Sequence, residues 1–303
     1  MQLLDEAAVA TVLRFADLIP AMRRALIDYS AGRIAQPQRR IIEVESRGGF
    51  FASMAAASAT AVGAKLVTVY PGNAERGLHT HLATIVLLRP ETGEPLVVMD
   101  GRLITEMRTA AVTAAFVDAV AAPDVRALAI LGAGIQGRSH IAALRHVRDF
   151  KEIRIWNRTP ERAERLAQVT GGKAMSRESA VRGADVVVVA TSAVEPVLEG
   201  KWLKPGAKVA TVGWGSRDGT EVDADTMASV VIVDSREGAL AESGNFRKWR
   251  PVIHAELGEV LDGRRPVDPR ATVVFVSLGM ACEDIAAAAL VYERLSAKSG
   301  GPS

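Results

Sequence analysis

The chain has 303 residues, enough for two domains and a large core. Its hydrophobic share of 49% and net charge of +2 are those of an ordinary globular protein, and exclude the strongly basic footprint of a nucleic-acid binder. Cys282 is the only cysteine, so an internal disulfide is excluded, and no apolar run is long enough to span a bilayer. With no basic segment and apolar core at the N-terminus to read as a leader, the expectation is a soluble, cytoplasmic protein.

Apolar positions at helical spacing predict a helix over 16–29. Gln36-Pro37-Gln38-Arg39-Arg40 breaks the pattern, and Ile41, Ile42 and Val44 begin a strand-like segment continued over 48–54. Further strands are expected over 62–69, 81–88 and 96–99, with Pro71-Gly72-Asn73 and Pro90–Glu94 as turns. Asp100-Gly101 leads into a helix over 103–120, and Ala121–Asp124 reads as a boundary. This first part is expected to be α+β with antiparallel pairing.

In Gly63-Ala64-Lys65-Leu66-Val67-Thr68-Val69, alternation puts Lys65 on the face of Gly63, Val67 and Val69, which predicts burial. A buried lysine needs a partner or a lowered pKa, both typical of proton transfer, whereas most strand lysines are simply on the wet face. Arg108 has small neighbours, Thr109, Ala110 and Ala111, that would let its guanidinium grip a carboxylate bidentately; the alternative is an exposed helix arginine. Arg39 and Arg40 are similar candidates, one expected inward and the other solvated. His79 and His81 share a strand face, but no carboxylate or cysteine cluster completes a metal site, so none is expected.

Beyond the boundary, Ala127–Leu131 is an apolar run, Gly132-Ala133-Gly134-Ile135-Gln136-Gly137 follows at once, and 135–147 has helical spacing before the run 153–156. This is G-x-G-x-x-G between a strand and a helix, the setting in which it binds a dinucleotide pyrophosphate at the helix N-terminus. An NAD site usually places an acid about 20 residues beyond the glycines. Here that position is reached at Asn157, and Asn157, Arg158, Thr159 and Arg162 would surround the 2′ position instead. Guanidinium groups there bind a 2′-phosphate that a carboxylate would repel, so the expected cofactor is NADP(H). Thr159-Pro160 also reads as an N-cap and first helical residue. A helix over 159–170, strands over 184–190, 208–213, 229–233 and 273–276, and a terminal helix over 279–297 complete the reading. The fold class is α/β, a Rossmann domain beside the α+β part.

Several stretches in order resemble the ornithine cyclodeaminase/mu-crystallin family: Gln36–Arg39, Gly63-Ala64-Lys65, Gly77–His81, Asp100-Gly101 with Ile104–Ala111, Gly132–Gly137, Ile155–Thr159, Ala255–Val260 and Ser277–Ala281. The resemblance implies a homodimer with a substrate-binding and dimerisation domain over 1–121, rejoined by the C-terminal helix at about 283–303, and an NADP-binding domain over 122–282. It implies that Arg39 and Arg108 hold a substrate carboxylate, that Lys65 is the acid/base and that Thr80 lines the pocket. Thr191 and Ser192, with Ser277, Leu278, Gly279 and Met280, would flank the nicotinamide. Cyclodeaminases of the family carry an aspartate where this chain has Gly215, and Asp218 lies three residues on. That departure, with Asn157-Arg158-Thr159, points to the branch that reduces imino acids such as pyrroline-2-carboxylate or piperideine-2-carboxylate. Ornithine cyclodeamination, alanine-type dehydrogenation, and a non-catalytic NADPH-binding protein are the alternatives.

Overall fold

The computed structural model describes residues 1–213 and 219–298. The chain packs as two compact units, one of Met1–Arg108 with the chain from Met280 onward, the other Thr109–Gly279.

The first unit opens with β1 (Gln2–Leu4), α1 (Glu6–Ala10) and α2 (Phe15–Ser30). Then come β2 (Arg40–Val44), β3 (Gly49–Ala57), β4 (Val62–Val69), β5 (His81–Leu88), β6 (Pro95–Asp100) and the start of α3 (Arg102–Val120), whose residues from Thr109 onward belong to the second unit. The strands form one sheet in the order β1-β6-β5-β4-β3-β2, parallel between β1 and β6 and antiparallel elsewhere. The segment read as one strand from Ile41 through Met54 is a hairpin: a short 3-10 turn at Glu45–Arg47 ends at Gly48, whose φ of 59° is left-handed and suits glycine. Alternation sorts β4 and β5 into two faces. Gly63, Lys65, Val67, Ala83, Ile85 and Leu87 are buried on one, while Leu66 and Leu82 are exposed on the other.

The second unit holds β7 (Ala127–Leu131), α4 (Ile135–Leu144), β8 (Glu152–Trp156), α5 (Pro160–Thr170), β9 (Lys173–Ala174), α6 (Arg177–Val181) and β10 (Val186–Val189). It continues with β11 (Lys208–Thr211), α7 (Ala224–Met227), β12 (Val230–Val233), α8 (Arg236–Glu242) and α9 (Gly244–Trp249). It closes with β13 (Ile253–Glu256), α10 (Leu257–Leu261) and β14 (Val273–Val276), and α11 (Ala281–Lys298) follows in the first unit. All eight strands are parallel, in the order β13-β12-β14-β11-β10-β7-β8-β9. The central runs, such as the four valines of β10, are buried on both faces, which is why they read as unbroken apolar stretches. Strand order reverses between β7 and β10, so ligand-binding loops are expected at the carboxyl ends of those two strands. β1, β9, β13 and the short helices α6 to α10 are too brief for periodicity to reveal.

Within the first unit α11 packs on β3, β4, β5 and α2. Gly63 permits this: a Cβ there would lie 2.2 Å from the Val86 carbonyl and 3.0 Å from Ile285 Cδ1. The missing side chain lets the start of α11 lie against the strand that carries Lys65.

Candidate functional site

Lys65 points from β4 into this packing and is 2% exposed. Its ammonium forms an ion pair of 2.5 Å with Asp284 Oδ2 in the first turn of α11. Arg108, on α3, donates from Nε to Asp284 Oδ1 at 2.9 Å and from Nη1 to Glu283 Oε2 at 2.7 Å. Glu283 Oε2 also accepts from the Met280 backbone N–H, half of a capping box, and Gln36 Oε1 accepts from Cys282 N–H. Side chains therefore satisfy two of the N–H groups that open α11, and the contacts of Glu283 and Asp284 with Arg108 and Lys65 hold both carboxylates beside the two cations.

Burial pushes Lys65 down to about 8, with the Asp284 charge opposing and Arg108 and Arg39 adding to the fall. Burial, the largest single effect, would raise Asp284, but the charges and hydrogen bonds of Arg108 and Lys65 together outweigh it and hold the carboxyl below its usual range. A buried ion cluster is weak evidence for stability, because desolvation offsets its attraction. It is better evidence for chemistry.

Arg39 is half-buried and its Nη1 donates to Met54 Sδ at 4.0 Å, Met54 being the cross-strand neighbour of Lys65; Arg40 is exposed. Burial, then the Lys65 and Arg108 charges, push His81 at the start of β5 down to about 4, so it is neutral near pH 7. Thr80 is exposed, and its carbonyl accepts from Tyr70 N–H. Among the described residues no cluster of His, Cys, Asp or Glu is arranged to hold a metal.

In the second unit the three glycines of the turn do different work. Gly132 has a φ of +116°, and a Cβ there would meet the Ala190 carbonyl at 2.2 Å. At Gly137 it would meet the Gly132 carbonyl at 2.0 Å, so neither position has room for a side chain against the backbone. Gly134 faces open space and is the N-cap of α4, with no side chain capping the helix. Uncapped N–H groups behind an open glycine fit a pyrophosphate. Ile135 is half exposed beside them, and Gln136 supplies the carbonyl that accepts from the His140 ring.

Asn157 Oδ1 accepts from Ala133 N–H at 3.0 Å, and its Nδ2 donates to the Thr159 carbonyl, so it ties the tip of β8 to the glycine turn. Thr159 is the N-cap of α5 and Pro160 opens the helix, but the threonine side chain makes no capping bond. Arg158 and Arg162 are exposed on the same tip.

Thr191 donates from both N–H and Oγ1 to Glu221 Oε1, and Gly213 N–H donates to Oε2. Glu221 thus staples the loops after β10 and β11, and burial pushes it up to about 7 against those bonds. Ser192 is exposed. Asp234 Oδ2 accepts from Leu278 and Gly279 N–H, fixing the turn after β14, where Ser277 is buried. Glu221, Asn245, Ser277 and Leu278 line one small polar pocket. Lys65, Arg39, Arg108, Thr80 and Met280 therefore lie in the first unit, and the remaining candidates lie in the second.

A family model described as the ornithine cyclodeaminase/mu-crystallin family matches residues 1–299. The chain belongs to this family. A relative, the ketimine reductase mu-crystallin of Mus musculus, is 43% identical over 92% of each chain. The solved Thermococcus litoralis Delta(1)-pyrroline-2-carboxylate reductase, in complex with NADH and L-proline, is 33% identical. It superposes with a TM-score of 0.93 over 100% of this chain and 99% of its own. An archaeal alanine dehydrogenase dimer with bound NAD has the same TM-score at 26% identity, over 100% and 98%.

Within the family frame, Gly215 and Asp218, on which the cyclodeaminase comparison turned, lie outside the described residues. Sequence reasoning missed Glu283, Asp284, Gln36 and Glu221 as parts of the site. The signal for Asp284 was present: a lysine expected to be buried, and an acidic pair opening an alanine-rich helix otherwise read only as a crossing segment.

Proposed function

We propose that this chain is an NADPH-dependent reductase of cyclic imino acids of the pyrroline-2-carboxylate and piperideine-2-carboxylate type. The observation that carries the reading is a wholly buried lysine, ion-paired and flanked by two arginines, on a chain whose second unit has an intact dinucleotide turn. Related enzymes that reduce ketimines and pyrroline-2-carboxylate support it.

The substrate carboxylate is assigned to Arg39 and Arg108, whose planar guanidinium groups suit bidentate recognition of a carboxylate. Lys65, with its pKa near 8, is protonated at neutral pH and still able to give up the proton to an imine nitrogen. Thr80 borders this substrate. A bound dinucleotide supplies the hydride that reduces the imine carbon. Its pyrophosphate is assigned to Gly134, Ile135 and Gln136, and its nicotinamide side to Thr191, Ser192 and Ser277–Met280. Its 2′-phosphate is assigned to Arg158, Thr159 and Arg162, where the absence of an acid at Asn157 favours NADP(H) over NAD(H).

We also assign this chain a homodimeric state through the open face of the first sheet. Ile42, Leu66 and Leu82 are 60%, 41% and 42% exposed there, on three strands of one sheet. A dimeric relative favours a second copy as what covers them. The single cysteine fits a reducing cytoplasm, and among the described residues no helix is long and apolar enough to cross a membrane.

The test is coenzyme oxidation with pyrroline-2-carboxylate in wild type, Lys65→Met and Arg158→Glu. Lys65→Met is expected to lose at least about 100-fold in kcat, the usual contribution of a positioned acid. Arg158→Glu is expected to raise the KM for NADPH by about 10-fold or more and leave NADH nearly unchanged. Equal rates in wild type and Lys65→Met remove Lys65 from the mechanism. Ammonia release from ornithine without net coenzyme change would favour cyclodeamination instead.

A further inference from the structure

Asp284 makes two contacts whose combination bears on the chemistry of Lys65. One carboxylate oxygen takes the ammonium at 2.5 Å, and the other takes Arg108 Nε at 2.9 Å. The residue is fully buried, on a helix turn pinned by Gln36 and by Glu283. Among the described residues, the charged or titratable groups facing Lys65 are Asp284 and, through Arg108, Glu283 from α11; Arg108 from α3; His81 from β5; and Arg39 from the segment before β2. Arg108 and Arg39 both disfavour a charge on Lys65, and His81 is neutral near pH 7. Among the described residues, the one group in direct contact that favours the ammonium is Asp284.

Resting on the imine-reductase reading above, we propose that Asp284 is the positioning residue of the proton transfer. It keeps Lys65 charged and aimed, and shares its own charge with Arg108 so that the proton can leave. In the step, an N–H bond of the Lys65 ammonium breaks and its electron pair stays on Nζ. The imine nitrogen lone pair takes the proton, and the carbon, now more electrophilic, accepts a hydride from reduced nicotinamide dinucleotide. Lys65 is left as a neutral amine and regains its proton from water. At that moment a carboxylate paired with Lys65 alone would be a buried, unpaired anion, a costly state. Asp284 still has the guanidinium on its second oxygen. Glu283, bonded to Arg108 and not to Lys65, keeps that guanidinium in place.

The experiment follows Lys65 itself by NMR of full-length protein carrying 13C-labelled lysine, its signal identified by loss in Lys65→Met. The alkaline limb of kcat/KM with pyrroline-2-carboxylate and NADPH is measured in parallel. In Asp284→Asn the titration midpoint of Lys65 and the alkaline break are both expected to fall by a pH unit or more, as removal of an adjacent opposite charge requires. The KM for NADPH is expected to stay within about twofold, since no cofactor contact is removed. Should Asp284→Asn fail to fold, Asp284→Glu keeps the charge but lengthens the arm. It is expected to hold the midpoint and lose about 10-fold or more in kcat, because a misplaced donor is a poor one. An unchanged Lys65 midpoint in Asp284→Asn, or full kcat in Asp284→Glu, overturns the proposal. If wild type reduces no imine while the midpoint still shifts in Asp284→Asn, the reaction assignment falls and Asp284 stands only as the group that fixes the Lys65 charge.

Discussion

His140 shows how a buried titratable group is handled away from the Lys65 cluster. It lies on α4, with no exposed surface, between the Gln136 carbonyl at 2.8 Å and the Thr113 hydroxyl at 3.0 Å. A carbonyl only accepts, so Nδ1 carries the hydrogen and Nε2 accepts from Thr113. Burial holds this ring down to about 4, against an ordinary value of 6.5. Between those values the unfolded chain binds the proton and the folded chain does not. The stability His140 contributes is therefore complete above pH 6.5 and is lost as the pH falls toward 4. Urea unfolding at pH 7 and pH 4.5 is expected to show a loss of about 2 kcal/mol from this residue, reduced in His140→Asn, whose amide can still donate to Gln136. The same acid loss in His140→Asn would locate the sensitivity elsewhere. Lys65 is the contrasting case, buried and yet supplied with a counter-charge. Alternation along β4 was enough to foresee its burial. Its partner, more than 200 positions away, was hidden because no local pattern records which helix returns to which strand.

At the scale of elements, the glycine turn between β7 and α4 separates folding from binding within six residues. Gly137→Ala would drive a Cβ to 2.0 Å from the Gly132 carbonyl, and backbone cannot yield as a side-chain tip can. A loss of about 2–3 kcal/mol in unfolding free energy is expected. Gly134→Ala meets open space and should unfold like wild type, yet weaken NADPH about 10-fold or more by blocking the pyrophosphate. Denaturant curves and coenzyme fluorescence titrations check the pair. Equal effects of the two substitutions on stability would contradict the division of roles. This turn was legible because strand, glycines and helix are contiguous. The hairpin at Glu45–Gly48 was not, since apolar residues run through both of its strands and only Gly48 marks the reversal. Short elements such as β13 are stabilised by pairing with β12, a contact absent from their own sequence.

For the whole molecule, the two sheets follow different rules that the sequence already separated. Unbroken apolar runs became a parallel sheet buried on both faces, and alternating runs became a sheet with one wet face. That wet face exposes Ile42, Leu66 and Leu82, the side chains on which the proposed second copy would pack. Leu66→Glu is expected to leave folding intact, because Leu66 is 41% exposed, and to give a monomer in analytical ultracentrifugation. A dimer of unchanged affinity would place the interface elsewhere. The sheet order of the second unit, with the last strand β14 lying between β11 and β12, could not be read from the chain.

Transfer of deuterium from 4-deuterated NADPH to pyrroline-2-carboxylate, followed by mass spectrometry of the product, tests the central claim most directly. Wild type is expected to yield proline carrying one deuteron at C2, and Lys65→Met to yield at least about 100-fold less in the same time. Labelled proline formed equally fast by both proteins, or none from wild type, would contradict the account.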